Sequence, residues 1–267
     1  MAKEWQLILD DDHCGYYNMA CDEVIFNSYC RDRIPTLRIY GWQDPFVTLG
    51  YFQKTEQVLD SQSALKQDIH FTRRITGGSA ILHYAEITYS LSLAVEDLNL
   101  PKSPKASFGI LTSFILNFYK NLGLESCFAK DVYPLRIGRY GNFCFSSCEE
   151  FDILINDRKI GGNAQKRKKN FIFQQGSIPL RIDFDLIRKV IKGTPEDLEK
   201  KTQGLISLRG NPRLEGIKNS LAASFKETFN IEFVSRNFYN EELESIEYLI
   251  RNKYKLDSWK FRVTRNA

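Results

Sequence analysis

Two glycine-rich turns, each set between strand-like runs, constrain the fold of this chain more than any other feature. One turn covers residues 73–78 (RRITGG), and the other covers residues 159–165 (KIGGNAQ), about 85 positions further along. Glycine has no Cβ and reaches positive φ, so the backbone can turn tightly there and come close to a ligand. The first turn adds arginines, which suit an anionic or carbonyl-bearing ligand, and the second adds a lysine. The two turns therefore offer complementary chemistry.

Hydrophobic periodicity predicts strands in the middle of the chain and helices towards its ends. The ranges with helical spacing are 16–31, 108–122, 184–192, 213–229 and 240–253, and those with strand-like patterns are 36–40, 46–51, 70–74, 88–94, 151–156 and 172–180. This arrangement predicts an α+β fold with a mixed, largely antiparallel sheet flanked by helices.

The composition is that of a globular protein, with 43% hydrophobic and 26% charged residues. No apolar run reaches about 18 residues, and the first residues lack the apolar core of a secretion signal, so we expect a cytoplasmic protein without a membrane partner. The net charge of +4 is too small to predict nucleic-acid binding. The 267 residues allow one large domain or two small ones. We expect a main unit over residues 1–212 and a helical extension, residues 213–267, packed on it.

Six cysteines and three histidines are present, without a CxxC pair. In a cytosolic chain the cysteines are expected to be thiols, and their spacing predicts no metal site. Cys144 lies between two phenylalanines, where a cysteine is usually a small buried hydrophobe. Nearby positive charge, for example from Lys159, would instead lower its pKa and make it a nucleophile, with Cys148 as the competing thiol.

The other candidate residues also have structural alternatives. The 73–79 turn is either an anion-binding nest with two arginines or a hairpin turn whose arginines are solvated. His83 is either catalytic or structural. Lys159 either orients a carbonyl, an oxyanion or a phosphate, or is simply solvated. The basic run 166–169 is either a docking site for an acidic protein or a solvated hairpin tip.

Five segments resemble the family of lipoate–protein ligases and lipoyl(octanoyl)transferases, whose catalytic domain is shared with biotin protein ligases. The matching stretches are NMACDE (18–23), RIYGWQDPFVTLGYFQ (38–53), RRITGGSAILHYAEITYS (73–90), NFCFSS (142–147) and KIGGNAQKR (159–167). The resemblance covers roughly residues 5–182 and is weaker beyond them. It implies that residues 1–212 form an acyltransferase or ligase catalytic domain of α/β type.

The resemblance also implies a set of site residues. Cys144 falls at the position of the catalytic cysteine in one transferase branch, fifteen residues before Lys159, which would contact the acyl carbonyl. The residues expected to bind the acyl substrate are Arg73, Thr76, Gly77, Gly78, Ser79, His83, Gly161, Gly162, Asn163 and Ala164.

Three reactions are run within the family. In the transferase reaction, octanoyl-acyl carrier protein donates the acyl group through a cysteine thioester, and no cofactor is needed. In the ligase reaction, ATP and Mg²⁺ activate free lipoate as an adenylate. In both, the acceptor is a lysine of a lipoyl-domain protein, namely the glycine cleavage H protein or an E2 subunit of a 2-oxoacid dehydrogenase. A third branch moves the acyl group between lipoyl domains. Cys144 favours the transferase.

Two positions depart from the family pattern. Ser79 stands where many ligases have a third glycine, which argues against a phosphate loop for ATP. Gln175 stands where a histidine is usual. This second departure leaves open a different class of protein, one that binds acyl groups or lipoyl domains without catalysis.

Overall fold

The computed structural model describes residues 4–132, 149–209 and 214–262. Its strands are β1 (Trp5–His13), β2 (Thr36–Trp42), β3 (Phe46–Leu49), β4 (His70–Arg73), β5 (Ile81–His83), β6 (Glu86–Ala94), β7 (Cys127–Phe128), β8 (Ile153–Ile155), β9 (Arg158–Lys159), β10 (Gly162–Lys168), β11 (Phe171–Pro179) and β12 (Phe233–Ser235).

The helices flank these strands. They are α1 (Gly15–Asp32), α2 (Thr55–Val58), α3 (Ser61–Lys66), α4 (Pro104–Asn121), α5 (Ala129–Val132), α6 (Phe184–Val190), α7 (Leu198–Lys201), α8 (Ile206–Arg209), α9 (Leu214–Phe229), α10 (Asn240–Leu249) and α11 (Asp257–Lys260), with a π-helical turn at Ile250–Tyr254.

The main sheet has the order β10-β11-β6-β2-β1-β12 and is mixed. Strands β10, β11, β6 and β2 pair antiparallel, whereas β2, β1 and β12 pair parallel. A second sheet, β4-β3-β5, and a third, β7-β8-β9, stand beside it. The predicted α+β fold with a mixed, largely antiparallel sheet is confirmed. Helix α4 begins at Pro104, four residues before the predicted start, and is capped by the Ser103 hydroxyl, which accepts a bond from the Ala106 amide.

Edge strand β10 was missed at the sequence level. The prediction placed residues 166–169 in a turn, but Lys166, Arg167 and Lys168 belong to β10, and only Lys169 lies in the turn, with φ +58°. Strand alternation sends Arg167 towards Ser107 of α4, while Lys166 lies on the other side, near the Tyr51 ring. The basic run is therefore divided between the two faces of the sheet and forms no single hairpin tip.

Aromatic residues join helix α9, the first helix after residue 212, to the core of the main sheet. Phe225 of α9 packs on Trp5 of β1 and on Phe114 of α4, with ring centroids 5.3 and 5.0 Å apart. Phe114 in turn meets Tyr89 of β6 at 5.0 Å. Helix α9 therefore shares one buried cluster with the main sheet, and the unit boundary at residue 212 stays a prediction.

A buried arginine fixes α1 to the sheet. Arg38 of β2 is fully buried and donates to the carboxylates of Asp10 and Asp22, at 2.7 and 3.1 Å, and to the Asn18 carboxamide oxygen at 2.8 Å. Asn18 and Asp22 belong to the NMACDE stretch, so these polar members of that motif support the scaffold. None of the helices in the described ranges has the length and apolarity needed to cross a membrane.

Truncation of the Phe225 ring tests whether α9 unfolds together with the sheet. Because Phe225 is fully buried, we expect Phe225→Ala to lower the free energy of unfolding by about 3–5 kcal/mol. Leu65→Ala, at a side chain that is 79% exposed, should stay within about 0.5 kcal/mol of the wild type. Denaturant unfolding followed by circular dichroism and by tryptophan fluorescence measures both. Two separate transitions would instead support an independent C-terminal unit.

Candidate active site

A cavity of about 190 Å³ lies between the β10–β11 edge of the main sheet and the turn that links β4 to β5. The predicted site residues that line it are Gly77, Gly78, Ser79, His83, Lys159, Gly162, Asn163 and Ala164. The structure thus brings the two glycine-rich segments together, although they are distant in the chain. Ile81 and Phe108 add apolar surface to the lining.

Arg73 does not line this cavity, contrary to the expectation that it binds substrate. Its guanidinium donates to the backbone carbonyls of Gly50 at 2.8 Å, Gln53 at 2.6 Å and Lys260 at 3.0 Å. Backbone carbonyls therefore occupy its donors, and Arg73 ties the loop after β3 to the C-terminal segment. Neighbouring residues of a strand point to opposite faces, so Arg74 faces the cavity in its place.

Arg74 holds the glycine-rich turn in shape. It is buried, with 1% of its surface exposed, and its Nη2 donates to the carbonyls of Gly77 at 2.6 Å and Ser79 at 2.8 Å. Its Nε donates to the Thr76 hydroxyl at 3.0 Å. Thr76 does not line the cavity. Its hydroxyl binds Arg74 and so helps to hold the turn. The Arg74 guanidinium therefore stabilises the turn and does not serve as a bidentate binding group for an anion.

The turn presents its backbone to the cavity. Gly78 has φ +85°, a conformation that favours glycine. Within the described ranges, no hydrogen-bond acceptor is found for the amide N–H groups of Gly77 and Gly78. Two such amides beside a cavity can donate to a carbonyl oxygen or an oxyanion.

Lys159 enters the site as one half of a buried ion pair. Its Nζ lies 2.6 Å from Oδ2 of Asp152, and the two side chains are 5% and 9% exposed. The β8–β9 hairpin turns at Asn156 and Asp157, both at positive φ, and pairs Leu154 with Lys159. Alternation then places the side chain of Asp152, two residues before Leu154, on the same face as Lys159. Lys159 is therefore a fixed charge and not a solvated lysine.

The second glycine-rich segment needs glycine for close packing. Gly161 does not line the cavity, but its φ is +130°, and a Cβ on this residue would lie 2.5 Å from the Ser177 carbonyl oxygen, which excludes a side chain. Asn163 follows and is held by the Tyr89 hydroxyl, which donates to its side-chain oxygen at 2.7 Å. Burial raises the pKa of Tyr89, so this phenol remains a donor.

His83 is buried, and both of its ring nitrogens are bonded. Nδ1 lies 2.8 Å from the Glu86 carboxylate, and Nε2 lies 2.7 Å from the Thr48 hydroxyl. Its ring stacks on Trp42 with centroids 3.7 Å apart. Glu86 also accepts from Ser177 and Thr88, each at 2.6 Å. The imidazole is thus a rigid part of the cavity wall.

The predicted nucleophile Cys144 and the competing Cys148 lie outside the described residues. The described cysteines are Cys14, Cys21, Cys30 and Cys127, and none of them lines the cavity. Burial raises the pKa of Cys21 to about 12 and also raises the pKa values of Cys30 and Cys127. A raised pKa disfavours the thiolate.

Comparison with known proteins now identifies the family. The profile of the lipoyl protein ligase A/B catalytic domain matches residues 14–234. This chain belongs to that family. The octanoyltransferase LipM of Geobacillus kaustophilus is 32% identical to it, over 98% of this chain and 100% of that protein. The octanoyltransferase LipM of Halalkalibacterium halodurans is 31% identical, over 97% and 99%.

The family fold also matches by structure. A lipoate-protein ligase A whose crystal structure contains ATP superimposes with a TM-score of 0.81, at 24% identity, over 98% of this chain and 100% of that one. At this identity the likeness concerns the fold. The family resemblance predicted from the five sequence segments is confirmed.

Sequence reasoning missed several residues of the candidate site. Asp152 had a usable signal, since an Asn-Asp pair between an apolar run and Arg158-Lys159 predicts a two-residue hairpin that places residues 152 and 159 on one face. Strand alternation predicts that the Arg73 and Arg74 side chains point to opposite faces, although it does not say which of them faces the cavity. The position of Glu149, which lines the cavity and donates its amide to Asp152 at 2.7 Å, gave no sequence signal.

Removing the lysine of the ion pair should separate stability from catalysis. Lys159→Met leaves Asp152 buried and unpaired, so we expect a loss of about 3 kcal/mol of stability. Adding Asp152→Asn should recover much of that loss, because the uncompensated charge is gone. Acyl transfer should stay roughly 100-fold or more below wild type in both variants. Thermal melting and transfer rates measure the two effects; recovery of transfer in the double variant would show that Lys159 has only a structural role.

A methyl group at Gly161 should disturb the approach of β9 to β11. Since its φ is +130° and the new Cβ would meet a backbone oxygen, we expect Gly161→Ala to cost about 1–3 kcal/mol and to reduce transfer. Gly216→Ala is the matched control, because Gly216 lies in α9 with nothing within 4 Å of the added Cβ. Calorimetric melting of both variants is the measurement, and equal melting temperatures would contradict the expectation.

Proposed function

We propose that this chain is an octanoyltransferase that moves an octanoyl group from octanoyl-acyl carrier protein to a lysine of a lipoyl-domain protein, through a thioester on Cys144. The observation that carries the proposal is the cavity in which the Lys159–Asp152 ion pair and the glycine-rich turn meet. Relatives that match over nearly their whole length are named octanoyltransferases, which supports this reaction over the others of the family.

The first step is acylation of the enzyme. The thiolate of Cys144 attacks the carbonyl carbon of the octanoyl thioester, and a new C–S bond forms. The C–S bond to the carrier breaks, and the carrier thiol leaves as a thiolate that takes up a proton. The acyl group is already activated as a thioester, so this step requires neither ATP nor a metal ion.

The second step transfers the acyl group to the acceptor. A neutral lysine amine of the H protein or of an E2 lipoyl domain attacks the carbonyl carbon of the acyl-enzyme. The C–N bond forms, the C–S bond to Cys144 breaks, and the proton lost by the amine balances the thiolate that is released. The product is an N-octanoyl lysine amide, and the enzyme is regenerated.

Both steps develop negative charge on the same carbonyl oxygen. Lys159 is held by Asp152 in the cavity wall, and Gly77 and Gly78 line the cavity with amides that have no acceptor within the described ranges. Donors placed in advance at such an oxygen are worth about 2.7–4 kcal/mol each. We assign Lys159 and these amides to stabilisation of the oxyanion, while Ile81 and Phe108 provide apolar contacts for the acyl chain.

We assign Cys144 as the nucleophile from its position in the sequence and because the described cysteines are poorly placed for this role. The four described cysteines lie away from the cavity, and a buried thiol such as Cys21 is a poor nucleophile. The sequence position of Cys144 in the family resemblance favours it over Cys148.

Intact-protein mass spectrometry after incubation with octanoyl-acyl carrier protein tests this assignment. We expect the wild type to gain one octanoyl group that hydroxylamine removes, and Cys144→Ser to gain none. Cys148→Ser is the matched control, four residues along the same segment, and should be acylated like the wild type.

The other outcomes point to different functions. Acylation of Cys144→Ser but not of Cys148→Ser would move the nucleophile to Cys148. If the wild type gains no adduct but modifies a lipoyl domain when ATP and free lipoate are added, the ligase reaction replaces the transferase. Absence of any acyl transfer would leave a binding protein.

A further inference from the structure

Gln175 presents a buried polar atom to the cavity without a partner. The residue is 5% exposed, and its side-chain oxygen Oε1 has no hydrogen-bond partner in the described parts of the chain. Two other buried atoms share this property, Ser92 Oγ and Gln203 Oε1, but neither residue lines the cavity. Buried polar atoms are nearly always hydrogen-bonded in folded proteins, so one that faces a cavity points to a bound ligand.

Strand register directs Gln175 towards the glycine-rich turn. Gln175 of β11 lies directly opposite Ala164 of β10, so the two side chains share one face of the sheet. Ala164 lies 3.8 Å from the position that a Cβ on Gly78 would take. The Gln175 carboxamide therefore stands beside the two amides that we assign to the oxyanion.

The other buried polar side chains of the described lining are already bonded. His83, Thr88 and Ser177 each bind the Glu86 carboxylate, which does not itself line the cavity. The oxygen of the half-buried Asn163 accepts from Tyr89. Among the buried side chains of the described lining, the Gln175 oxygen is the acceptor left for a substrate. Its ligand must supply an N–H or O–H group.

Of the groups that react in the cavity, only the acceptor amine supplies such a donor. The octanoyl chain and the thioester carry neither N–H nor O–H, and their carbonyl oxygen suits Lys159 and the turn amides instead. The amine nitrogen must reach the same carbonyl carbon, so its N–H groups come next to the turn. A carboxamide oxygen can hold an amine without binding its proton, because it is neutral and not a base.

We propose that Gln175 is a positioning residue for the second step, whose Oε1 accepts a hydrogen bond from the acceptor lysine amine and aims the nitrogen lone pair at the acyl carbonyl carbon. This inference rests on the proposed function. It concerns the transfer half-reaction alone, because no amine takes part in acylation of the enzyme.

Gln175→Leu is the direct test, since leucine fills a similar volume and removes the acceptor. We expect enzyme acylation by octanoyl-acyl carrier protein to be unchanged and single-turnover transfer to an isolated lipoyl domain to fall roughly tenfold or more. The melting temperature should be equal or higher, because an unpartnered buried polar group has been replaced by an apolar one. A merely structural role would instead lower the melting temperature.

Two further variants complete the design. Ser92→Ala removes another unpartnered buried atom that lies away from the cavity, and it should leave both half-reactions unchanged. Gln175→His keeps an acceptor in the form of a neutral ring nitrogen and should restore most of the transfer rate. Wild-type transfer by Gln175→Leu would overturn the inference. An equal loss of acylation and transfer would also overturn it and would assign Gln175 to the carrier's pantetheine arm or to the cavity shape.

A second set of assays distinguishes a failure of this inference from a failure of the proposed function. If octanoyl-acyl carrier protein does not acylate the wild type, the same variants are assayed with ATP and free octanoate. The amine is the acceptor in that reaction as well, so slower transfer by Gln175→Leu would uphold the role of Gln175 while the transferase proposal fails. If the wild type transfers the octanoyl group neither from octanoyl-acyl carrier protein nor with ATP and free octanoate, both proposals are wrong.

Discussion

Two consecutive buried arginines determine the shape of the site. Arg73 ends β4 and Arg74 follows it directly, and each donates to several backbone carbonyls. Carbonyls of irregular loops need donors when they are buried, and here two guanidinium groups supply them. Without Arg74, the Gly77 and Ser79 carbonyls would be left without that donor, and the turn that lines the cavity would lose this support. The catalytic proposal therefore depends on this pair, although neither arginine is assigned a bond to substrate.

Two side chains of the cavity wall are held by carboxylates before any substrate arrives. Lys159 is bound to Asp152, and His83 is bound to Glu86. Pairing holds each side chain in one geometry, which favours electrostatic stabilisation because little reorganisation is needed during the reaction. Within the described residues, the turn amides and the Gln175 oxygen have no protein partner. They are complementary to the two reacting parts of the substrates, an acyl oxygen that needs donors and an amine that needs an acceptor.

Much of the fold and part of the site could be predicted from local pattern. The helices at 16–31 and 213–229 and the strands around Tyr89 and Phe173 follow from periodicity, and the structure places them within a few residues. Strands β1 and β12 were not predicted, because β1 carries a polar second half and β12 is only three residues long. Residues of both glycine-rich segments line one cavity, while their roles as site residues stay a prediction. Arg73 was chosen over Arg74, since motif spacing alone does not say which neighbour faces the cavity.

The sequence by itself determined the family, the α+β class and the chemistry available at Lys159 and the glycine-rich turn, because these depend on residue type and short-range spacing. Only the tertiary structure decided which polar atoms are already bonded. Asp152, Glu86 and Asn163 look alike in sequence as available polar groups, yet each is engaged by a neighbour brought from another strand or turn. Gln175 was visible in the sequence only as a departure from the family. That its oxygen has no partner among the described residues became evident only in the folded structure, since hydrogen-bond satisfaction is a property of the folded arrangement.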